Sequence, residues 1–404
     1  MKGKTIITAL AIAGAVTSCV GISGPDNGPH SDVDGEYASI SMVVPPIEIL
    51  EDDPLTRMTV DIAASPIAYL WAEKDTVGIF PENGSQIYLS MANGVGTSEV
   101  NFDGGGWGLR KNTSYYSYFP FIPDFYIRKN AIPMSFEGQS QKGNADPNVA
   151  DIGRYCFMAA KGVSDEVTGN LMFEYERLGV LTRYKIPVDA GTYTSLTVKA
   201  GSPVIAYKGT FNSLEIDRSI QNAAYSDELS MSLEDMTFAE PAVLVAFMMM
   251  PPFDILNKQL TVELTKSDGT VVTSSAFGKN YQLGTAYGSA MHVSVYAKND
   301  LIDGNGGSAQ VVINASGSDA YTVSTDVDWL TLGSRPTSGS AVVTVTAGKG
   351  TTTQRTGHVI VSEQVSYKGT TITLQNKVLI TQDQTGMAIG VGGWGDGENI
   401  KGEL

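Results

Sequence analysis

The sequence has few of the residues that build disulfide scaffolds, metal sites and catalytic triads. Its 404 residues include two cysteines and three histidines. Cys19 ends an apolar leader, where we expect it to be modified, so Cys156 has no disulfide partner and is interpreted as a small buried residue. His30, His292 and His358 show no metal-ligand spacing. The sequence therefore predicts no disulfide scaffold, no metal site and no cofactor.

Positive charge is also scarce. Lys and Arg number 27 against 43 Asp and Glu, which gives a formal net charge of -16. A surface of this sign repels the nucleic-acid backbone, so the sequence predicts no nucleic-acid partner. Among the 43 acidic residues, no pair stands out as the acid and base of glycoside hydrolysis, which are found by geometry. We expect a protein that is not an enzyme.

No apolar run in the sequence is long enough to span a bilayer. "TIITALAIAGAV", residues 5–16, follows Lys2 and Lys4 and is shorter than the roughly 20 residues that span a bilayer. This layout is typical of a signal peptide. The stretch "VTSC" resembles a bacterial lipobox, which implies removal of residues 1–18 between Ser18 and Cys19 and attachment of lipid to Cys19. An ordinary signal peptide with an incidental cysteine is the alternative.

Alternating apolar and polar residues dominate the rest of the chain. Residues 19–37 are rich in Gly, Pro and Asp and predict a flexible tether. "SDGT", residues 267–270, lies between two alternating runs and predicts a hairpin turn. The sequence therefore predicts an all-β protein of packed sandwiches. Typical alternating runs are "SLTVKA" (195–200), "LTVELT" (260–265), "MHVSVYA" (291–297) and "AVVTVTA" (341–347).

The main body, residues 38–300, carries an ordered series of features. "LTRMTVDIAASPIAYLWAEKDTVGIFPENG" is followed by "VNFDGGGWGLRKNTSYYSYFPF", then by "LMFEYERLGVLTRYKIPV", "YKGTFN" and "VLVAFMMMPP". Together these resemble the fimbrillin-like family of Bacteroidetes surface lipoproteins, the subunits of type V pili and their relatives. The resemblance implies a two-part, transthyretin-like β-sandwich body. Tyr175 departs from the family pattern, which often has histidine there, and we interpret it as structural.

The resemblance also implies a route to polymerisation. In polymerising family members a protease cuts after a basic residue near the first strand, and a neighbour's segment fills the groove that opens. Arg57 in "PLTRMTV" matches that cut site, and "SISMVVPPIEIL", residues 39–50, would be the displaced strand. The alternative is an ordinary exposed arginine at a strand start. The aromatic residues, among them Trp71, Phe80 and Trp107, are expected to pack mostly between sheets.

Residues 308–384 form a second unit. Trp329-Leu330 follows a strand, "VTVTA" and "RTGHVIV" come next, and "LITQ" closes the unit at Gln382. This order resembles a BACON domain, a small immunoglobulin-like sandwich, and residues 297–310 would be the linker to it. BACON domains are suspected of binding carbohydrate or mucin. Trp329 is the residue that would contact a glycan, although a core position is its other interpretation.

The tail, residues 385–404, contains "MAIGVGGWGDGE". Fimbrillin-like chains often finish with a strand that leads into such a sequence. We therefore expect the small unit to interrupt the body, with the tail returning to the main domain or serving as a donor strand. A frayed tail is the alternative.

Two functions remain open from the sequence. The first is a lipid-anchored protein of the outer membrane and cell surface, acting as a pilus subunit, tip, anchor or adhesin through strand exchange or adhesion. Its partners would be membrane lipid, further copies or other pilus subunits, and a host glycan or protein. The second is a glycan- or mucin-binding lipoprotein that acts through residues 308–384.

Overall fold

The structure is a computed structural model in which β-strands dominate. In the described residues there is no α-helix, and a short 3-10 helix spans Gly153–Tyr155. All of them belong to one compact unit, residues 38–404. The predicted all-β class is confirmed. The described residues are 40–45, 49–50, 71, 75–93, 97, 99–103, 109–124, 126–144, 153–214, 219–317 and 320–385.

The two longest of the described strands, of 13 residues each, are the last two in the chain. They are, in chain order, β1 (Ile40–Val43), β2 (Ile49–Leu50), β3 (Thr76–Pro81), β4 (Ile87–Asn93), β5 (Glu99–Asp103), β6 (Ser114–Phe119), β7 (Ile132–Ser135), β8 (Gln139–Lys142), β9 (Met158–Val163), β10 (Leu171–Glu174), β11 (Glu176–Arg177), β12 (Val180–Val188), β13 (Gly191–Lys199), β14 (Ile205–Phe211), β15 (Gln221–Ser226), β16 (Glu228–Glu234), β17 (Thr237–Phe238), β18 (Ala242–Met250), β19 (Phe253–Asp254), β20 (Gln259–Lys266), β21 (Val271–Phe277), β22 (Asn280–Tyr281), β23 (Ala286–Ala290), β24 (Val293–Asn299), β25 (Leu301–Ile302), β26 (Gly307–Ala315), β27 (Tyr321–Thr325), β28 (Thr331–Leu332), β29 (Ala341–Ala347), β30 (Arg355–Tyr367) and β31 (Thr370–Gln382).

An eight-stranded sheet forms the first part of the molecule. Its order is β10-β1-β5-β4-β3-β6-β9-β11. β9 passes close to β10, the strand at the opposite end of this order. Gly162 of β9 allows this approach, since a Cβ at that position would lie only 2.6 Å from the carbonyl oxygen of Met172. The inner face buries its own hydrophobic cluster, which includes Trp71, Leu89, Tyr115 and Cys156. The burial of Cys156 confirms the prediction for this residue.

Two sheets of the central part enclose the largest hydrophobic cluster. One has the order β18-β12-β23-β2, and the other runs β28-β29-β26-β24-β21-β20-β13-β16-β8 with β17 paired to β13. Three-stranded and two-stranded sheets, β15-β14-β7 and β19-β22, complete this part. The cluster includes Tyr184, Leu196, Met248 and Val262. β16 alternates between exposed and buried residues, as a strand with one face on the core does, whereas β12 and β18 are buried along most of their length.

The predicted turn at residues 267–270 is confirmed. β20 and β21 pair antiparallel from Gln259↔Phe277 to Thr265↔Val271. Gly269 has a φ of 87°, a conformation that glycine adopts without steric cost. The side chain of Asp268 accepts a hydrogen bond from the Thr270 amide at 2.9 Å. The local sequence therefore determines this hairpin.

The last part of the chain continues the long sheet. β24 pairs with β21 through Thr273↔Val295 and Ser274↔Ser294, and with β26 along Val293–Asn299. A sheet of order β25-β31-β30-β27 packs over this end and closes a third hydrophobic cluster. The expected linker at 297–310 is thus replaced by strand residues over much of its length. The division into a body of 38–300 and a unit of 308–384 stays a prediction.

A polar cluster ties the end of β12 to the long sheet. Asp189 accepts hydrogen bonds from Lys266 Nζ at 2.9 Å, Tyr193 Oη at 2.7 Å and Tyr296 Oη at 2.6 Å. Burial opposes ionisation of Asp189, but the hydrogen bonds from Lys266, Tyr296 and Tyr193 hold its pKa below the usual value. The Lys266 ammonium also lies 4.5 Å from the centroid of the Tyr296 ring.

Several predicted features fall outside the described residues. They are Ser18 and Cys19, the tether 19–37, Arg57, Trp107 and the tail from residue 386. Among the residues that are described, no helix is long and apolar enough to cross a bilayer.

Candidate functional site

The predicted displaced strand lies inside the eight-stranded sheet. β1 pairs antiparallel with β5, from Ile40↔Phe102 to Val43↔Glu99, and parallel with β10, from Ile40↔Leu171 to Val43↔Glu174. β10 is the end strand, and β1 is its neighbour in the sheet. A segment from the start of the chain therefore fills a slot between two strands that come later. We call this space, bounded by β5 and β10, the β1 slot.

The β1 slot holds its strand through alternate apolar side chains. Ile40 and Val44 are each 1% exposed and Met42 is fully buried. All three join the cluster that contains Val100, Leu171 and Phe173. Burial of one such side chain stabilises a fold by about 1.5–3 kcal/mol. The strand is thus fixed by its inward residues, whereas Ser41 and Val43 are half-buried on the other face.

Tyr175 forms the floor of the β1 slot. Its backbone N–H donates to the carbonyl of Val43 at 3.0 Å. Its hydroxyl lies 3.2 Å from Met42 Sδ and is hydrogen-bonded to Ser117 Oγ. Burial raises the pKa of the Tyr175 hydroxyl far above its ordinary value, which keeps it protonated. Arg177 donates from Nη2 to the carbonyl of Pro45, where the segment leaves the slot.

The outer face of the β1 slot is a shallow depression. It has a volume of about 500 Å³. Met172 stands beside it with 60% of its surface exposed. The depression is lined by Ser41, Met42, Val43, Thr97, Glu99, Val100, Asn101 and Met172.

The same segment reaches the central part a few residues later. β2 pairs parallel with β23 through Ile49↔Ala286 and Leu50↔Tyr287. Beyond this short contact, Lys279 Nζ donates to the carbonyl of Gly288 at 2.7 Å. Residues 40–50 therefore supply strands to two different sheets.

The predicted aromatic core is confirmed wherever it is described. Trp71 meets the ring of Phe119 at 5.4 Å and that of Tyr175 at 5.9 Å. Phe80 stacks on Tyr118 at 5.9 Å. Tyr115, Tyr116 and Phe119 are also buried, and Phe121 is half-buried.

Trp329 is half-buried in the last part of the chain. The Arg355 guanidinium lies 4.4 Å from the ring centroid and covers one face of the indole. The same guanidinium donates from Nε and Nη2 to Gln382 Oε1 at 2.9 and 2.7 Å. A glycan role for Trp329 stays a prediction, and it would need the other face of the ring or its edge.

Each described histidine lies near a carboxylate. His358 Nδ1 lies 2.7 Å from Asp326 Oδ2, and His292 Nδ1 lies 3.7 Å from Glu363 Oε2. The described ranges contain no cluster of three or more His, Cys, Asp or Glu side chains placed to hold a metal.

The sequence did not show that Tyr175 and Arg177 contact residues 40–50. Tyr175 was expected to be structural, but its contact with Met42 depends on the pairing of β1 with β10. Arg177 sits in "EYERLG", where nothing in the pattern distinguishes it from a surface arginine. These roles depend on contacts across more than 130 residues of chain.

No protein-family model matches the sequence, and no curated protein does. Among solved structures, a candidate cell adhesion protein from Bacteroides ovatus has a TM-score of 0.41 and 15% identity over 63% of this chain and 92% of that one. A second one, from Bacteroides thetaiotaomicron, has a TM-score of 0.33 and 11% identity over the same shares, 63% and 92%. Elastase-activated alpha-2-macroglobulin from Escherichia coli has a TM-score of 0.21 and 9% identity over 80% of this chain and 30% of that one.

Proposed function

We propose that this protein is a cell-surface adhesin of the pilus-subunit kind that assembles by exchanging the strand segment 40–50. The observation that carries the proposal is the placement of β1 between β5 and β10. A strand from elsewhere can replace β1 without rearranging its neighbours, because β1 is joined to them by hydrogen bonds and side-chain packing. This is strand addition to a sheet, in which main-chain bonds give affinity and side-chain pockets give specificity.

An emptied β1 slot would be strongly attractive to a new strand. Loss of Ile40, Met42 and Val44 removes roughly 5–9 kcal/mol of apolar burial at about 1.5–3 kcal/mol for each side chain. It also leaves the facing edges of β5 and β10 unpaired. Cleavage after Arg57 would separate residues 40–50 from the body covalently, which makes their release a one-way step.

The tail supplies a matching sequence. Met387, Ile389 and Val391 repeat the alternate spacing of Ile40, Met42 and Val44, with small residues between them. Such a segment presents three apolar side chains to one face of a sheet. We propose that the tail of one copy fills the β1 slot of the next.

The remaining parts of the proposal concern place and chemistry. Lipid on Cys19 would hold the uncut chain at the outer membrane. Cleavage after Arg57 would part the body from this anchor, so assembly with other subunits would keep the body at the cell surface. The protein would act by binding and assembly rather than by catalysis, and its partners would be further copies or other pilus subunits. The family that the sequence resembles, with its fimbrillin-like body and BACON-like unit, is consistent with this role.

Limited trypsin treatment of the chain tests the proposal. Cleavage after Arg57 should convert monomers into a ladder of oligomers on an unboiled gel. Arg57→Ala and a chain that ends at Thr385 should both stay monomeric, since one keeps β1 in place and the other lacks the donor. A native chain that is cut after Arg57 and remains a monomer would overturn the proposal. Glycan-array binding that is lost in Trp329→Ala would then favour the lectin function instead.

A further inference from the structure

The outward face of the four-stranded sheet carries two neighbouring cations on β12. Arg183 and Lys185 are two residues apart, so they point to the same side of the sheet, opposite to Tyr184 in the main hydrophobic cluster. Arg183 is 9% exposed and Lys185 is half-buried. Burial lowers the pKa of Arg183, and burial followed by the charge of Arg183 lowers the pKa of Lys185. The two positive charges therefore lie close together.

Cations in this position call for anionic partners. Charged side chains that leave water are normally paired with the opposite charge, because their lost hydration is otherwise uncompensated. The chain has 43 Asp and Glu against 27 Lys and Arg, so carboxylates are the plentiful partners. Two cations with a spacing of two residues on one face fit two carboxylates with the same spacing on a nearby strand.

The neighbouring strand leaves space beside both cations. β12 pairs parallel with β23 in a register that puts Arg183 opposite Gly288 and Lys185 opposite Ala290. Paired residues of adjacent strands point to the same side of a sheet. On that side glycine presents no side chain and alanine presents a single methyl group. A side chain from the strand beyond β23 can therefore reach across it to either cation.

β2 is the strand beyond β23, and it stops just before these rows. It pairs parallel with β23 in a two-residue ladder that ends at Leu50. The next three residues read "EDD" and lie outside the described residues. The same register, continued, puts Glu51 in the row of Arg183 and Asp53 in the row of Lys185. The sequence thus supplies carboxylates at the two rows that hold the cations.

We propose that residues 51–53 continue β2 along the edge of β23, with the carboxylates of Glu51 and Asp53 on the two cations of β12. Neighbouring strands lie about 4.8 Å apart, so about 10 Å separates the backbones of β2 and β12. An acidic side chain from one and a long basic side chain from the other meet over the small residues between them. We call the four side chains, Glu51, Asp53, Arg183 and Lys185, the charge clasp.

Asp52 points to the opposite side of the same edge, where a third cation lies. Lys279 is 2% exposed, and its Nζ donates to the Gly288 carbonyl at 2.7 Å and lies 5.5 Å from the centroid of the Tyr287 ring. Tyr287 alternates with Gly288, so its side chain points away from the side of Arg183. A carbonyl oxygen accepts two hydrogen bonds, so Gly288 can also pair with a continued β2. The three acidic residues therefore match a cation on each side of the sheet.

The charge clasp explains how so short a ladder stays paired at the end of a sheet. Pro54 has no backbone N–H, which ends the ladder directly after Asp53. The pair with the half-buried Lys185 is within reach of solvent ions, so salt should loosen this end of the sheet. The charge clasp belongs to the intact chain and holds whether or not residues 40–50 are later exchanged.

A double-mutant cycle in the full chain tests the pair of Asp53 and Lys185. Asp53→Asn and Lys185→Met should each make the backbone amides of residues 286–290 exchange with solvent about threefold faster or more. The chain with both changes should exchange no faster than the faster single variant, because either change already breaks the pair. Single variants that exchange like the native chain, or effects that multiply in the double variant, would overturn the pair.

Glu51→Gln tests the other half of the charge clasp. It should accelerate exchange at residues 286–290 more than Asp53→Asn does, because Arg183 is the more buried cation. An unchanged rate would overturn the pairing of Glu51 with Arg183.

Glu263→Gln with Lys199→Met is the matched control for these charge variants. Lys199 Nζ lies 2.7 Å from Glu263 Oε2 in the long sheet, and both side chains are partly exposed. Loss of this ion pair should leave exchange at residues 286–290 unchanged. Equal acceleration by the control would show that the effect is not local to β2 and would overturn the charge clasp.

A cysteine pair tests the register without relying on charge. Asp53→Cys with Ala290→Cys puts two thiols in one row of adjacent strands, a separation that a disulfide spans. Mild oxidation should then link the two peptides, as seen by mass spectrometry. Asp52→Cys with Ala290→Cys is the control, since residue 52 points to the other side and should link far less. Linkage that fails at residue 53, or that is equal at 52 and 53, would overturn the continued register.

Discussion

The four-stranded sheet is closed differently at its two ends. At β18 the closure consists of side chains from Gln139, Gln141 and Asn144, which are held within the body by the pairing of β8 with β16. At β23 the closure is the two-residue strand β2, helped by Lys279. The first closure comes from β8, which is held inside the body, whereas the second belongs to segment 40–50, for which we propose strand exchange. The two ends of one sheet therefore differ in how firmly their cover is tied to the body.

The largest expected effect comes from expelling β1. Met42→Asp places a carboxylate in a fully buried position against Tyr175. We expect a loss of at least about 3 kcal/mol from the free energy of unfolding, or release of β1 with faster trypsin cleavage after Arg57. Chemical denaturation and timed proteolysis measure the two outcomes.

Met172→Asp is the matched control for that variant. It puts the same charge on a methionine of the neighbouring strand β10, whose side chain is 60% exposed. Its effect should stay within about 0.5 kcal/mol. Equal effects of the two variants would show that the β1 slot is no stronger a constraint than the surface.

The next largest effect lies at the closed edge. Gln141→Leu removes the side-chain amide that accepts from the Phe247 amide and donates to the Val245 carbonyl. Each buried unpaired group costs about 1–3 kcal/mol, so thermal unfolding should occur at a clearly lower temperature. Gln364→Leu, which removes an exposed bond to Thr373 Oγ1, should change little.

A smaller effect is expected at Asp189, which directly follows β12 of the four-stranded sheet. Asp189 has a lowered pKa in the folded state, so its stabilisation is complete above the unfolded pKa of about 3.9 and is lost as pH falls through the folded value. Asp189→Asn should cost about 1–2 kcal/mol at pH 7 and weaken the loss of stability below pH of about 4. Urea unfolding at several pH values measures this. Retention of the full acid dependence in the variant would contradict the role of Asp189.

The smallest effect tests the exchangeable end. Lys279→Met removes a donor to the Gly288 carbonyl, and we expect a loss of about 1 kcal/mol. Hydrogen exchange near residues 286–290 should rise, with Lys377→Met on an exposed part of β31 as the control. An unchanged exchange rate would mean that β2 alone holds this edge.

Strand alternation predicted much of the fold. The runs at 195–200, 260–265, 291–297 and 341–347 fall largely or wholly within strands, and the hairpin at 267–270 forms where Gly269 allows it. Residues 39–50 were expected to be one strand. The described residues instead form β1 and β2, which pair with different sheets.

Local composition did not predict polar residues whose side chains form hydrogen bonds with backbone groups of other strands. Residues 297–310 read as a linker, yet Asn299 Oδ1 accepts from the Gln310 amide at 2.9 Å and its Nδ2 donates to the Ser308 carbonyl at 3.1 Å, at a bulge between β24 and β26. Gln139 and Gln141 lie in "EGQSQKG", which looks like an exposed turn. Their role depends on β18, about 100 residues away, and no local pattern encodes it.

The strand β24 has a mechanical consequence. It is bonded to β21 on one side and to β26 on the other, so traction on the last part of the chain would load the same ladder that holds the central part. Stretching a single molecule from its two termini should therefore give one shared rupture for these parts instead of two independent steps.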